Sequence, residues 1–455
     1  MKVLLLNPPF VRYKSKNPQY DLNYKLFVLK NSWSNTPCLR RISRLLPELK
    51  GIRYGVRAGS RWPWTSEKPI FPLHFPFMLA YTAAFLRDKG ADVNLIDAIA
   101  AQSYSYDSFV EAVKNENADI AIIECSTPTI DIDVWIAKRI SRFTKVALAG
   151  SHLNLHAAEM LDKHPYITWM LPGEFIKSSF RMMQSLRPGI YHAEVVEDLD
   201  SIPFPYRDFK YADQFFDPSM PTPKPQLQIY GSKGCPFKCT FCLWPQAMYD
   251  GIVALRKPES ILEEIKFCLK QSDYKSIFFD DDTFNLGTER ISKLCDLLKN
   301  TGLPWTMMGR IDISPSWLFQ KMVDSGCVGM RFGVETFDKE VLKNIRKGIE
   351  RTDFLDTLKQ LSKQYPNLMI HLTMMKDLPG QTEDIHQNDV NILRDIGFSA
   401  DGNLRNYQLS SCAPFPGTDL YNELCELHGS DCMNEYSLFD GGQDTIMRKL
   451  KKRNE

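Results

Sequence analysis

Short, nearly continuous apolar runs alternate with helical patterns over residues 1–190. The runs KVLLLN (2–7), DVNLID (92–97), DIAIIEC (119–125), KVALAG (145–150) and ITWML (167–171) read as strands buried on both faces. Between them, FMLAYTAAFLRDKG and DVWIAKRISRF carry apolar residues at helical spacing. This alternation predicts a parallel, doubly wound, Rossmann-like α/β sheet. Ligands of such sheets sit outside the carboxyl ends of the strands. The residues expected at that edge are Asn7, Pro8, Pro9, Asp97, Ser126, Thr127, Gly150, Ser151, His152, Gly173 and Glu174, with plain turn and cap residues as the alternative.

Residues 11–70 interrupt the pattern between the first strand and the first long helix. The insertion holds thirteen Lys and Arg against three acids, a balance of +10, interleaved with tyrosines and tryptophans. A long insertion at a ligand-binding edge predicts a substrate-recognition lid, with a solvated excursion as the plain alternative. Residues 191–225 are proline-rich and read as a linker. A second alternation follows over 226–430, with strand candidates QLQIY, KSIFFD, PWTMMG, GMRFGVE, LMIHLTMM and LRNYQLSS. Six βα units predict a partial (β/α)6 barrel whose chemistry lies at the carboxyl face of its strands. Residues 431–455 read as a short carboxy-terminal tail whose last residues, RKLKKRNE, are basic and solvated.

Composition narrows the function classes. A net charge of +1 over 455 residues argues against a wholesale nucleic-acid binder. No apolar run approaches the roughly 18 residues that span a bilayer. MKVLLLNPPF breaks at its prolines too early for a secretory segment, so a cytoplasmic protein is expected. In a reducing compartment the eleven cysteines point to metal or redox chemistry before disulfides.

GCPFKCTFCLWP (234–245) gathers Cys235, Cys239 and Cys242 in a C-x₃-C-x₂-C loop directly after the first barrel strand. A structural zinc site closes with four ligands, and no second pair follows at suitable spacing. Three thiolates on one tight loop can instead hold three irons of a [4Fe-4S] cluster, leaving the fourth iron open to an exchangeable ligand. Zinc and an accidental grouping stand as the alternatives.

The loop resembles the signature of the radical S-adenosylmethionine (SAM) superfamily. FFDDDTF (278–284), RFGVE (331–335) and LPGQTEDI (378–385) resemble its later landmarks at successive strand ends. The resemblance implies SAM chelated at the open iron, with Asp281, Asp282, Arg310 and Glu335 among its contacts. It also implies an external electron donor of flavodoxin or ferredoxin type. The amino-terminal half resembles the cobalamin-binding domain of one large subfamily, through LLLNPP, VNLIDA, GSHLNLH and LPGEF. DAIAAQ departs from the D-x-H-x-x-G pattern, with Ile99 where a cobalt-ligating histidine would stand. The resemblance therefore implies cobalamin held without a histidine ligand. The implied activity is methyl transfer from methylcobalamin to an unactivated carbon. Rearrangement, ring contraction or cyclisation without methylation is the alternative. The basic, aromatic insertion suggests a large or anionic substrate, such as a protein segment. No catalytic acid or base is identifiable.

Overall fold

The computed structural model describes residues 1–12, 40–43, 53–59, 61–66, 73–349, 351–439 and 445–454. The first sheet contains β1 (Lys2–Asn7), β2 (Asp92–Asp97), β3 (Ile120–Glu124), β4 (Lys145–Gly150), β5 (Trp169–Pro172) and β6 (Gly189–Ile190). Its strands are parallel in the order β2-β1-β3-β4-β5-β6. Val3 and Leu5 of β1 pack into the core on one face, Leu4 and Leu6 into the core on the other. That two-sided burial is what a continuous apolar run encodes. The strand order reverses beside β1, so the crevice between the carboxyl ends of β1 and β3 is the topological switch point.

The second sheet runs β7 (Gln226–Ile229), β8 (Ser276–Phe279), β9 (Trp305–Gly309), β10 (Cys327–Glu335), β11 (Met369–Lys376) and β12 (Arg405–Ser411), all parallel and in sequence order. Among the described residues β12 does not pair with β7, and the barrel stays open. This is the expected partial (β/α)6 architecture. No helix among the described residues is long and apolar enough to cross a membrane.

Three segments differ from their sequence reading. Residues 191–225 are not a free spacer. Arg207 pairs with Glu264 at 2.9 Å and Asp217 with Arg331 at 2.5 Å, all four side chains buried, so the segment is packed against the barrel. The basic tail is not solvated either. Ile446–Asn454 is a helix that buries Ile446, Met447 and Leu450 in the barrel core and turns Lys449 and Lys451 to Glu435 and Asp377. In the insertion, Arg53–Ala58 and Arg61–Ser66 form an antiparallel hairpin that Val11–Arg12 extends. Arg41 lies exposed on a short helix, Arg40–Ser43; most of the remaining insertion lies outside the described residues.

The two units share one core. Tyr230, Trp244, Met248 and Tyr249, which flank the cysteine loop, pack with Phe77, Leu171 and Phe175 of the first unit. The rings of Phe77 and Tyr230 stack at 3.7 Å.

Candidate active site

β7 delivers the chain to the carboxyl face, where Ser232–Lys233 pairs with Ala254–Leu255. Gly234 then turns with φ +79°, and a Cβ there would stand 2.1 Å from the Ile252 carbonyl oxygen, so only glycine fits. Gln246 Nε2 donates to the carbonyls of Cys239 and Cys242, each at 2.9 Å. The Thr240 amide donates to the Ile345 carbonyl at 3.0 Å. The loop is thus shaped by contacts to its backbone, while Cys235 Sγ lies 3.2 Å from Thr283 Oγ1. Cys239 is buried, and Cys235 and Cys242 are half-buried. Burial pushes the thiols of Cys239 and Cys242 up, with the nearby Cys239 adding at Cys242 and the Lys347 charge opposing at Cys239. Bound iron would supply the positive charge that turns such thiols into thiolates. Among the described residues no three His, Cys, Asp or Glu side chains converge as the ligands of one ion. Thiolates on three different irons need no such convergence, and their soft sulfurs suit an iron–sulfur cluster.

The acids after β8 hold this loop. Asp281 accepts from the Gly231 amide at 2.8 Å and Ser232 Oγ at 2.6 Å, and Asp282 accepts from the Gly234 amide at 2.8 Å. Arg310 lies 3.8 Å from the ring centre of Phe237, between the first two cysteines, and pairs with Asp312 at 2.6 Å. It also donates to the Lys347 carbonyl at 3.0 Å. Glu335 ends β10 with φ +69°, a costly backbone for a residue with a side chain, and takes Lys347 Nζ at 2.9 Å. Gly333 makes room for that pair, since a Cβ would stand 2.7 Å from Glu335 Oε1. The predicted barrel residues therefore converge on one face, joined by Lys347. His371, lower in the lumen, is pushed down to about 4 by burial and by Arg331, and is neutral.

The first-sheet residues divide into smaller groups. His152 Nδ1 meets Thr127 Oγ1 at 3.2 Å, and Ser126 caps the turn Thr127–Thr129. Tyr436 sets its ring edge-on to His152 at 4.8 Å. Asp97 accepts from Asn7 Nδ2 at 2.9 Å and the Ile99 and Ala100 amides at 3.0 Å; burial pushes it up to about 6. Gly150 has φ +122°, and a Cβ there would stand 2.4 Å from the Cys125 carbonyl oxygen, so glycine is required for reasons internal to the sheet. Gly173 abuts Ala193 and the Ala247 carbonyl of the segment after the cysteines. Pro8, Ser126, Thr127, Ser151, His152 and Glu174 are all buried by the chain itself.

Residues 229–388 match the radical SAM superfamily. The chain carries a radical SAM domain. Over 375 residues it is 24% identical to an uncharacterised methyltransferase of Pyrococcus horikoshii, covering 76% of this chain and 77% of that protein. The fold is that of TsrM from Kitasatospora setae, a radical SAM methyltransferase solved with cobalamin and a [4Fe-4S] cluster. The TM-score is 0.61 at 14% identity, over 79% of this chain and 73% of that one. It is also that of OxsB, a cobalamin-dependent radical enzyme solved with aqua-cobalamin and SAM, with TM-score 0.60 at 16% identity over 85% and 59% of the two chains. The protein is an enzyme of radical SAM type.

Three residues within the matched domain hold the site together although the sequence reading did not single them out. Lys233, two positions before Cys235, makes a buried ion pair with Glu174 of the first sheet. Glu174 Oε1 also accepts from the Val196 amide at 2.6 Å. The first-sheet edge is thereby tied to the cysteine loop. Gln246 and Lys347 are the others. Lys233 alone had a signal: a lysine beside a glycine-cysteine loop, on a strand otherwise buried.

Asp281 also sets a pH dependence for the radical SAM domain. Burial pushes its carboxyl up to about 6, opposed by Ser232, Arg290 and the Gly231 amide. The folded state then binds this proton more tightly than the unfolded chain, whose aspartates titrate near pH 4. The stabilisation is full below about pH 4 and disappears as pH rises through the folded value near 6. Asp281→Asn is expected to flatten that fall, measured as urea midpoints across the window. An unchanged slope would count against the assignment.

Proposed function

We propose that this enzyme is a cobalamin-dependent radical SAM C-methyltransferase acting on an unactivated carbon. The observation that carries the reading is the three-thiol loop, anchored by Asp281 and Asp282 and tied through Lys233–Glu174 to the edge of a Rossmann-like sheet. Cys235, Cys239 and Cys242 would hold the cluster. Glu335, fixed by Lys347, would meet the SAM ribose, and the first-sheet edge with its small residues and no histidine at Ile99 would seat cobalamin. When bound, the cluster with SAM supplies a hydrogen-abstracting radical, and cobalamin supplies a transferable methyl group.

The chain's own contribution is positional. The shared core around Tyr230 and Trp244 fixes one unit against the other, which sets the approach of two cofactors to one substrate. Gln246 and Thr240 keep the cysteine loop rigid. The substrate in this reading is large or anionic, a protein segment being the favoured case, drawn by the +10 balance of the insertion. Electrons come from a flavodoxin- or ferredoxin-type donor. Incubation of anaerobic, reconstituted enzyme with reductant, SAM and candidate peptides tests the reading. S-adenosylhomocysteine and 5′-deoxyadenosine are expected together with the product. Charge reversal at Arg40, Arg41 and Arg44 is expected to raise KM several-fold while substrate-free SAM cleavage persists. Unchanged KM would remove the insertion from substrate recognition.

A further inference from the structure

Strand alternation decides what lines the barrel lumen. Met330, Phe332, Ile370 and Leu372 pack into the core between the strands and their helices, so Arg331 and His371 stand on the opposite, inner face. Register sets Arg331 beside His371, and His371 beside Asn406 of β12. One layer below, a Cβ on Gly329 would meet Thr306 Cγ2 at 3.0 Å, Met220 Sδ at 3.1 Å and Met369 Cε at 3.3 Å, so these side chains close the lumen from beneath. One layer above, Gly333 and Thr373 are half-buried and Gln408 is exposed, so the lumen opens toward the face that carries Glu335. Asp217, from the segment before β7, reaches the Arg331 layer and pairs with that arginine.

This layer holds three polar atoms without a hydrogen-bond partner among the described residues: His371 Nε2, Arg331 Nε and Asp217 Oδ2. All three side chains are more than nine-tenths buried. Each such atom is costly to leave unpaired, and three in one layer call for a polar guest. Their roles are fixed by their neighbours. Asn406 Nδ2 donates to the carbonyls of Gly402 at 2.9 Å and Ser219 at 3.3 Å, so its Oδ1 meets His371 Nδ1 as an acceptor. His371 Nδ1 therefore carries the proton. Burial and the Arg331 charge keep the ring neutral, which leaves Nε2 as a bare acceptor on the side away from β12. Asp217 Oδ1 is committed to Arg331 and Ser219, and Oδ2 remains as a second acceptor. Arg331 Nη2 holds Asp217 and Nη1 lies 3.3 Å from Met308 Sδ, so the Nε proton remains as a donor. The charges of Arg331 and Asp217 offset each other, and His74 and Asp280 nearby form a second opposed pair at 3.9 Å.

We propose that this layer of the lumen is a subsite for a neutral primary carboxamide, with His371 Nε2 and Asp217 Oδ2 accepting from its NH2 group and Arg331 Nε donating to its carbonyl. A carboxylate of the same shape would set lone pairs against both acceptors, and a site built this way rejects it. An ammonium group would leave the Arg331 proton unmet and stand beside a like charge. The proposal rests on the reading above for its substrate, a protein segment, and deepens it: an asparagine or glutamine side chain carries the fitting group.

The probe is acetamide, with acetate as its isosteric anion, titrated into the full chain labelled with nitrogen-15 in its histidine and arginine side chains. Near neutral pH the free protein is expected to show His371 as the Nδ1–H tautomer. Acetamide is expected to shift the His371 Nε2 and Arg331 Nε resonances together and to saturate. Acetate should need about tenfold more for the same shift. His371→Phe, which assigns the histidine signal, is expected to weaken the acetamide response at Arg331 about tenfold. The wild-type titration decides the matter even if that variant does not fold. An Nε2–H tautomer, equal responses to the two probes, or no saturable response to acetamide would each overturn the subsite. Binding is read without reductant or SAM, so the two readings fail separately. A saturating acetamide response in a protein that methylates no peptide supports the subsite and counts against methyl transfer alone. An enzyme that methylates a peptide yet ignores acetamide overturns the subsite alone.

Discussion

Replacing Cys235, Cys239 and Cys242 together by alanine is expected to remove all iron from the reconstituted protein and abolish SAM cleavage, while the chain stays folded. The separation follows from how the loop is held. Its shape comes from the turn at Gly234, from Gln246 and Thr240 on backbone groups, and from Asp281 and Asp282 on the amides of Gly231 and Gly234. Of its sulfurs, Cys235 Sγ lies 3.2 Å from Thr283 Oγ1. The half-buried Cys235 and Cys242 leave little cavity on truncation, so the thermal midpoint should move by only a few degrees, about 1 kcal/mol for a domain of this size. Iron should fall from roughly four per chain to none. A triple variant that keeps a full cluster would remove the assignment of the ligands.

The second large effect is expected at the joint between the two units. Glu174 and Lys233 are both buried, and burial pushes Glu174 up and Lys233 down, each opposed by the other's charge. Glu174→Gln leaves the lysine charge buried beside Tyr249 without its counter-charge. The cost should be about 3–5 kcal/mol. Changing both partners, Glu174→Leu with Lys233→Met, should recover most of it, because two apolar groups leave no charge to solvate. Denaturant titrations of Glu174→Leu, Lys233→Met and the double variant measure the coupling directly. Because Lys233 lies two residues from Cys235, the single variants should also lose iron faster to a chelator. Additive single-variant effects would show that the pair does not act as a unit.

Much of the fold was legible in the sequence because its strands announce themselves twice. Val3–Leu6 and Ile120–Ile123 are apolar without interruption, which only burial on both faces of a sheet explains. The cysteine spacing and the acids after β8 then sat at strand ends, and the structure brings them to one face. Other features depend on partners far along the chain. Arg57 looks like one more cation of a basic insertion until Asp133, 76 positions away, neutralises it. Arg207 and Asp217 sit in a proline-rich stretch that reads as spacer, yet each is buried through a charge on the barrel. Lys347 acts from a loop and Gln246 from the single π-helical turn Trp244–Met248, where no periodicity marks a functional polar side chain. The tail helix was legible in principle. Ile446, Met447 and Leu450 make one apolar face within a run whose lysines dominate its appearance.

The most direct test of carbon methylation uses SAM deuterated in its methyl group, supplied with reductant, cobalamin and substrate under anaerobic conditions. A methyltransferase gives a product that carries the deuterated methyl group and releases S-adenosylhomocysteine alongside 5′-deoxyadenosine, one SAM supplying the methyl and another the radical. An unlabelled product of unchanged carbon count, formed with 5′-deoxyadenosine alone, would contradict the account and assign the same two-unit fold to a rearranging or cyclising enzyme.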